Sequence, residues 1–336
     1  MKFDNSKIDT AKLLEFINDR FQIDLVSEIQ FIPKGEEGYC YYIKDINESG
    51  YFVKALKTQS HLEEALSIIQ QLHDDYEKKY VLAPIQTNKG NVSANFGQYQ
   101  ISLFPFIQGA SIYETMLTLE DSKRIATMMA DFHSINYKKF EHLRRETFDN
   151  PFENNILNLI HSAENGNQSR TNYQQQASEL LIKEKDDVQA TLIKMKTMQK
   201  KLQAASLDWT ITHGDPNYAN IMRDLQGDLY LIDFGEIAIG PIERDLMAFS
   251  ENEFFGKFIS TYKEIRPEAK FHLETFEFYI YRWCLQEISD YGMQIFFGTS
   301  GEIEHEHAWA ELQPYLPIPH LDIQKSLQRI EKILWR

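Results

Sequence analysis

The fold is decided by the stretch Ile211-Thr212-His213-Gly214-Asp215-Pro216-Asn217-Tyr218-Ala219-Asn220-Ile221, followed by Leu231-Ile232-Asp233-Phe234-Gly235. Apolar and β-branched residues from Asp208 to Thr212 predict a short strand, and those from Leu229 to Ile232 predict another. Gly, Pro and Asn between the two runs are typical of a loop. The sequence therefore predicts polar side chains on a loop between two strands.

Three oxygen-bearing side chains in these segments suit phosphoryl transfer. This reaction needs a carboxylate that accepts or orients the attacking hydroxyl, and oxygen ligands for Mg²⁺ at the nucleotide phosphates. Asp215 and Asn220 lie five residues apart and can divide these roles, while Asp233 can supply a second metal ligand. A single His-Gly-Asp or Asp-Phe-Gly triplet usually marks only a turn. Both triplets in this order, with Asn220 at this offset, favour the functional interpretation.

The combination resembles the aminoglycoside phosphotransferase and choline kinase superfamily, whose catalytic loop reads His-Gly-Asp with an Asn five residues after the Asp. It differs from protein kinases, which carry His-Arg-Asp there and a later Ala-Pro-Glu motif. The resemblance runs from Lys54 to Asp245 and is weaker beyond. Within the superfamily it points to the spectinomycin phosphotransferase type, on Glu243-Arg244-Asp245-Leu246-Met247 and the helix Tyr281-Arg282…Glu287…Asp290-Tyr291-Gly292.

The resemblance implies an α+β, two-lobed protein-kinase-like fold, with a small N-terminal antiparallel-sheet lobe and a larger, mainly helical C-terminal lobe. It implies ATP and Mg²⁺ as cofactors, Asp215 as the catalytic base, and Asn220 and Asp233 as metal ligands. His213 is expected to organise the loop, because the hydroxyl-activating carboxylate is already present. Asp245 resembles the family's loop-supporting Asp and is expected to be structural.

Lys54 lies within the strand-like run Tyr51-Phe52-Val53-Lys54-Ala55-Leu56. A lone lysine in a strand is usually an exposed polar position. The resemblance gives it instead the role of the lysine that grips the α- and β-phosphates, and a helical apolar stripe over residues 61–76 follows it. Glu63 or Glu64 would pair with the lysine; both flank the stripe, and Glu63 is preferred.

The turn Gly35-Glu36-Glu37-Gly38-Tyr39 stands between two strand-like runs, where the resemblance puts the phosphate loop. It has only two glycines, and its carboxylates would repel a triphosphate. Glu36 and Glu37 are therefore expected to point outward while backbone amides cover the phosphates.

The connector Phe104-Pro105-Phe106-Ile107-Gln108-Gly109 separates strand-like runs from helical periodicity. We therefore predict a nucleotide-binding lobe of residues 1–105 and a catalytic and substrate-binding lobe of residues 106–336. The resemblance implies that the connector meets adenine, with Phe104 and Ile107 among the cofactor contacts. Simple hydrophobic packing of a connector is compatible with the same residues.

The sequence gives the least information about the pocket that binds the acceptor. Carboxylates suited to a cationic aminocyclitol or aminoglycoside are Glu236, Glu287 and Asp290, with Tyr281, Trp283 and Tyr291 as aromatic neighbours that also suit cations. Aromatic residues at helical spacing are more often part of a core. His305-Glu306-His307 lacks the spacing of a zinc motif and is expected to be a surface loop.

Composition narrows the classes of function. The net charge of −15, with no long basic run, disfavours nucleic-acid binding. Cys40 and Cys284 are the two cysteines and form neither a disulfide framework nor a CxxC motif. The polar N-terminus and the lack of a long apolar stretch predict a cytoplasmic protein without a membrane span. Oligomeric state and the choice of ATP or GTP stay open.

Three functions fit these observations. The first is a kinase for an antibiotic such as spectinomycin. The second is a metabolic kinase of the same fold, acting on choline, homoserine or a sugar. The third is a non-catalytic nucleotide-binding pseudokinase, which the intact set of Lys54, Asp215, Asn220 and Asp233 disfavours.

Overall fold

The computed structural model describes residues 6–33, 38–57, 61–140, 142–165, 171–298 and 301–334. The chain divides into two compact units. The first comprises residues 1–132, 140–143 and 213–238, and the second comprises residues 133–139, 144–212 and 239–336. These ranges do not coincide with a single cut after residue 105, and that domain boundary stays a prediction.

An antiparallel sheet of five strands forms the centre of the first unit. Its strands are β1 (Val26–Ile32), β2 (Tyr39–Asp45), β3 (Gly50–Lys57), β4 (Ala94–Phe96) and β5 (Tyr99–Pro105), in the spatial order β1-β2-β3-β5-β4. β1, β2 and β3 pair in succession along the chain, whereas β5 pairs with both β3 and β4 and therefore lies between them.

The alternation of β3 decides which side chains enter the core. Val53 and Ala55 are fully buried, while Lys54 between them points to the other face of the sheet and lies opposite Cys40 of β2 and Ser102 of β5. Because side chains alternate along a strand, burying the small and branched residues leaves the lysine at the opposite face. On the buried face, helix α1 (Thr10–Arg20) contributes Leu13 and Ile17.

Helix α2 (Leu62–Asp74) follows β3 and confirms the helical stripe predicted over residues 61–76. The stripe is buried and consists of Leu62, Ala65, Leu66, Ile69 and Leu72. Glu63 and Glu64 occupy the first turn, where negative side chains stabilise the helix N-terminus.

The remaining strands are short. They are β6 (Gly109–Ser111), β7 (Trp209–Thr212), β8 (Ile221–Asp224), β9 (Leu229–Leu231) and β10 (Ala238–Pro241). β6, β8 and β9 form a three-stranded sheet, and β7 pairs with β10. β7 and β9 confirm the two strands predicted on either side of the loop that carries Asp215.

Helices make up most of the second unit. In chain order, the first helix after α2 is α3 (Leu119–His133), which lies in the first unit except for its last residue. The helices of the second unit are α4 (Glu153–Asn165), α5 (Asn172–Lys183), α6 (Lys185–Gln203), α7 (Glu243–Leu246), α8 (Phe255–Ile265), α9 (Leu273–Phe297), α10 (Glu302–Leu312) and α11 (Leu321–Leu334). α9 packs against α4, α6, α10 and α11, which explains its aromatic content on several faces. The prediction of a surface loop at His305-Glu306-His307 is wrong, because these residues belong to α10 and His305 is buried.

The sheet of five antiparallel strands and the helical C-terminal part confirm the predicted α+β class. None of the helices in the described residues is long and apolar enough to cross a bilayer.

Candidate active site

His213 anchors the loop that follows β7. Its ring is fully buried, and its Nε2 lies 2.8 Å from the carbonyl oxygen of Ile232. The backbone N–H of Asp215 donates to Nδ1 of the same ring at 3.2 Å. Both contacts are satisfied by one neutral tautomer that carries its proton on Nε2, because a carbonyl oxygen can only accept and an amide can only donate. The imidazole therefore ties the loop to the segment that precedes Asp233.

The carboxylate of Asp215 is exposed and held by two carboxamides. Asn217 donates from Nδ2 to Oδ1 at 2.7 Å, and Asn220 donates from Nδ2 to Oδ2 at 2.9 Å. Asn220 also donates to the backbone carbonyl of Asp215 at 2.9 Å. Since its amide nitrogen is turned toward Asp215, its Oδ1 is the atom available to a cation.

The role of Asn217 was missed in the sequence. Its Oδ1 accepts from the backbone N–H of Ala219 at 2.8 Å, which caps the 3₁₀ turn Tyr218–Asn220. Asn is favoured at such caps, so the signal was present in the Pro216-Asn217 dipeptide. One amide thus shapes the turn and orients the carboxylate of Asp215.

Asp233 adopts a left-handed backbone, with φ of 62°. This region is uncommon for residues other than glycine, and such conformations cluster at functional sites. The carboxylate accepts from Nζ of Lys54 at 2.7 Å. The next residue, Phe234, packs its ring on that of His213, with centroids 4.3 Å apart. Lys54, Asp215, Asn220 and Asp233 all belong to the first compact unit.

The predicted partner of Lys54 does not contact it in this structure. Glu63 is exposed and Glu64 is half-buried on α2, whereas the ion pair that Lys54 forms among the described residues is with Asp233. The turn Gly35-Glu36-Glu37 lies outside the described residues.

Asn220 and Asp233 offer a donor set that fits Mg²⁺. Both present oxygen atoms, and their segments are joined by a hydrogen bond from the N–H of Ile232 to the carbonyl of Asn220 at 3.0 Å. Within the described part of the chain there is no group of three or more His, Cys, Asp or Glu side chains that would hold a metal by itself. Two protein ligands suit a magnesium ion that takes its other ligands from phosphates and water.

The connector residues predicted to meet adenine are half-buried. Phe104 lies on β5 opposite Phe52 of β3, and Ile107 follows the end of β5. A cavity of about 570 Å³ in the first unit is lined by Ile107 and its neighbours Pro105, Phe106 and Gln108, among others. Phe104, Lys54 and Asp233 are not among its lining residues.

The predicted substrate residues fall in different parts of the chain. Glu236 is exposed in the first unit, and Glu287 and Asp290 lie on α9 in the second. Of the predicted aromatic neighbours, Tyr281 is buried and carries Lys194 over its ring at 4.2 Å. Tyr281 is therefore a packing residue.

Trp283, half-buried on the same helix, meets Tyr315 edge to face at 5.4 Å. Burial raises the pKa of Tyr315 well above its usual range, and the nearby carboxylate of Glu287 and phenol of Tyr291 add to the rise. Aromatic rings and one of the predicted carboxylates thus lie together on one side of α9.

Asp245 is fully buried on α7. Its Oδ2 lies 3.0 Å from Nε2 of His133, whose Nδ1 lies 2.8 Å from the hydroxyl of Tyr262. The hydroxyl of Thr210 on β7 donates to the backbone carbonyl of His133 at 2.7 Å. These contacts tie α7 and α8 to the strand that leads into the Asp215 loop.

Comparison with known sequences agrees with this geometry. Residues 28–274 match the profile of the phosphotransferase enzyme family (APH), which covers more than half of the chain. This chain belongs to that family. The match confirms the predicted superfamily and the predicted phosphotransferase enzyme.

Three relatives illustrate the range of the family. Protein StrN of Streptomyces griseus is 24% identical over 338 residues, covering 95% of this chain and 97% of that protein. The structure of spectinomycin phosphotransferase APH(9)-Ia with ADP and spectinomycin superposes with a TM-score of 0.80 at 20% identity, covering 95% of this chain and 98% of that one. A choline kinase from Cryptosporidium parvum Iowa II superposes with a TM-score of 0.58 at 15% identity, covering 98% and 100%. At these identities the structural likeness establishes a shared fold.

Proposed function

We propose that this chain is an ATP-dependent kinase that phosphorylates a hydroxyl group of an aminocyclitol or aminoglycoside antibiotic such as spectinomycin. The observation that carries the proposal is the exposed carboxylate of Asp215, held by the amides of Asn217 and Asn220. The ion pair of Lys54 and Asp233 in the same compact unit supplies the other polar groups that the reaction needs. We propose the cytoplasm as the compartment, where ATP is available.

Asp215 acts as the base in this proposal. A carboxylate oxygen accepts more than one hydrogen bond, so each oxygen can bind its amide and still receive the proton of the attacking hydroxyl. The two amides fix the plane of the carboxylate, which orients the hydroxyl toward the phosphoryl group. His213 shapes the loop, since both of its ring nitrogens are engaged with backbone groups.

The nucleotide would be held by groups of the first unit. Lys54 would bind the α- and β-phosphates, with Glu63 as its proposed partner once nucleotide is bound. Asn220 and Asp233 would hold Mg²⁺, which neutralises the charge of the transferring phosphoryl group. We propose that Phe104 and Ile107 contact adenine.

A cationic acceptor is supported by the side chains on α9. Glu287 offers a carboxylate beside the rings of Trp283 and Tyr315, and both kinds of group attract ammonium ions. We propose Asp290 and Glu236 as further carboxylates for the acceptor. The spectinomycin complex of a structurally similar protein is consistent with an aminocyclitol as the first compound to test.

A second candidate is a metabolic kinase of the same fold. The superposition with choline kinase over 98% of this chain favours it, and the same Asp215 loop would serve. A pseudokinase is disfavoured, because Asp215, Asn220 and Asp233 are all present with the contacts described above.

The test is a screen for ATP-dependent phosphorylation with spectinomycin, an aminoglycoside, choline and homoserine, with the mass of the product determined. We expect addition of one phosphoryl group to the aminocyclitol. Turnover with choline or homoserine alone would move the function to the metabolic candidate. No product with any compound, combined with no nucleotide binding by calorimetry, would contradict the kinase proposal.

A further inference from the structure

Thr212 is the last residue of β7 and directly precedes His213. Its side chain is fully buried, and its hydroxyl accepts from Nη1 of Arg244 at 2.7 Å. A hydrogen bond from a charged donor is among the stronger ones in proteins, and burial shields it from competing water. The residue directly before the Asp215 loop is therefore held by a hydrogen bond from a guanidinium of α7.

The guanidinium of Arg244 is itself fixed. Its Nε lies 3.3 Å from Oε2 of Glu146, and the two side chains are 6% and 7% exposed. Arg282 of α9 pairs with the same carboxylate at 3.0 Å. Burial alone would raise the pKa of Glu146, but Arg282 and Arg244 hold it below its usual value. The carboxylate is thus ionised at neutral pH and gives Arg244 a fixed partner.

Glu146 is fastened to the backbone around it. Its Oε1 accepts from the N–H of Phe148 at 2.7 Å, and its own N–H donates to the carbonyl of Ile239 on β10 at 2.8 Å. Through Glu146, Arg244 therefore connects β10 to the hydroxyl of Thr212.

Gly240 of β10 leaves room for this arrangement. A Cβ at that position would lie 3.2 Å from Cδ of Arg244 and 3.3 Å from Oγ1 of Thr212. Both distances are tighter than normal contact. The strand thus passes close to the two groups, and a side chain there would press on both of them.

We propose that Arg244 is a positioning residue for the Asp215 loop: fixed by Glu146, it holds Thr212 and so sets the direction in which the chain enters His213-Gly214-Asp215. Gly214 has a φ of 94°, a conformation that glycine adopts freely, so Gly214 itself does little to fix the direction of the chain. The consequence for catalysis rests on the proposed role of Asp215.

The test compares two threonines of the same strand. Thr212→Val removes the acceptor of Arg244, Thr212→Ser keeps it, and Thr210→Val removes an equally buried hydroxyl farther from the loop. With MgATP and spectinomycin, we expect Thr212→Val and Arg244→Met to lower kcat by about tenfold with KM for ATP within about twofold, as for loss of geometry rather than of binding. Thr212→Ser is expected to stay near wild type.

A second readout does not depend on activity. The amide of Asp215 is hydrogen-bonded to His213, so its hydrogen exchange reports on the loop. We expect exchange in residues 213–215 to accelerate about tenfold in Thr212→Val and in Arg244→Met. Arg244→Met also breaks the pair with Glu146, but the double variant should exchange no faster than Arg244→Met, because the contact to Thr212 is already lost in that variant.

Equal effects of Thr210→Val and Thr212→Val on exchange would overturn the proposal, since they would indicate general loosening of β7. Unchanged exchange in Thr212→Val would overturn it as well. A wild-type enzyme without turnover would contradict the proposed function alone, because the exchange experiment still decides whether Arg244 positions the loop.

Discussion

Two ion pairs of this protein have similar chemistry but differ in how far their side chains are buried. Lys54 and Asp233 meet at 2.7 Å with 15% and 46% of their side chains exposed. Arg244 and Glu146 lie in the second unit and are almost completely buried. An exposed pair contributes little to stability and exchanges partners readily, whereas breaking a buried pair leaves an uncompensated charge. The comparison separates groups that are available to a ligand from groups that hold the chain in place.

The largest effect is expected at the exposed site itself. Asp215→Asn removes the proposed base, and its single side-chain oxygen can accept from Asn217 or from Asn220 but not from both. We expect kcat for phosphotransfer to fall about 10²–10⁴-fold. The free energy of unfolding should change little, because the carboxylate is exposed. Steady-state kinetics with Asp228→Asn, an exposed carboxylate on a nearby turn, is the control. Full activity of Asp215→Asn would mean that another group takes the proton.

Mutation of the buried pair should lower the free energy of unfolding. Glu146→Gln leaves Arg244 and Arg282 without their shared carboxylate, and we expect a loss of about 3–5 kcal/mol in the free energy of unfolding. Urea denaturation measures it. The matched control is Glu153→Gln, which removes a more exposed pair with Lys196 and should cost below about 1 kcal/mol. Equal losses of unfolding free energy in the two variants would mean that burial of the ion pair does not determine its contribution to stability.

Glu243, next to Arg244, is a buried carboxyl group whose contribution to the stability of the protein is expected to depend on pH. It is fully buried, its Oε1 accepts from the N–H of His272 at 2.7 Å, and burial raises its pKa to about 8. Because the folded protein binds this proton more tightly than the unfolded chain does, stability from this group is lost as pH rises from about 4.5 to 8.

In Glu243→Gln this loss is absent. We expect the stability of the variant relative to wild type to rise by up to ~3 kcal/mol between pH 5 and 8, measured by urea denaturation at several pH values. Glu264 is an exposed carboxylate on α8, and the stability of Glu264→Gln relative to wild type should not change over the same pH range. A flat difference for Glu243→Gln would show that its carboxyl group is ionised in the folded protein.

The smallest stability effect is expected at Lys54. Lys54→Met removes an ion pair whose acid is nearly half exposed, so the free energy of unfolding should change by below about 1 kcal/mol. KM for ATP, by contrast, should rise about tenfold or more, since the lysine is proposed to bind the phosphates. Lys57→Met on the same strand is the control for loss of a positive charge. An unchanged KM for ATP would mean that Lys54 does not bind the nucleotide.

Much of the fold was predictable from local patterns. The strands around the Asp215 loop and the apolar stripe of α2 follow from residues close in sequence. The placement of Asp215, Asn220 and Asp233 near one another also follows, because all three lie within one short segment. The roles of these residues stay predictions until they are tested by mutation.

The contacts that were not predictable join distant parts of the chain. Glu146 and Arg282 are 136 residues apart, and no local periodicity marks either residue as a partner of the other. The pairing of Lys54 with Asp233 instead of Glu63 likewise depends on a contact across 179 residues. Such pairs are decided by tertiary packing, which a single sequence does not reveal.

The left-handed backbone of Asp233 has a consequence for protein engineering. Holding a residue other than glycine in this conformation costs on the order of 1 kcal/mol, and here it is tolerated at a carboxylate that we propose as a Mg²⁺ ligand. A library selected only for heat resistance would favour glycine at this position. Because Asp233 is proposed to bind Mg²⁺, selection for thermal tolerance has to be coupled to selection for turnover; otherwise we expect the most stable variants to lose activity.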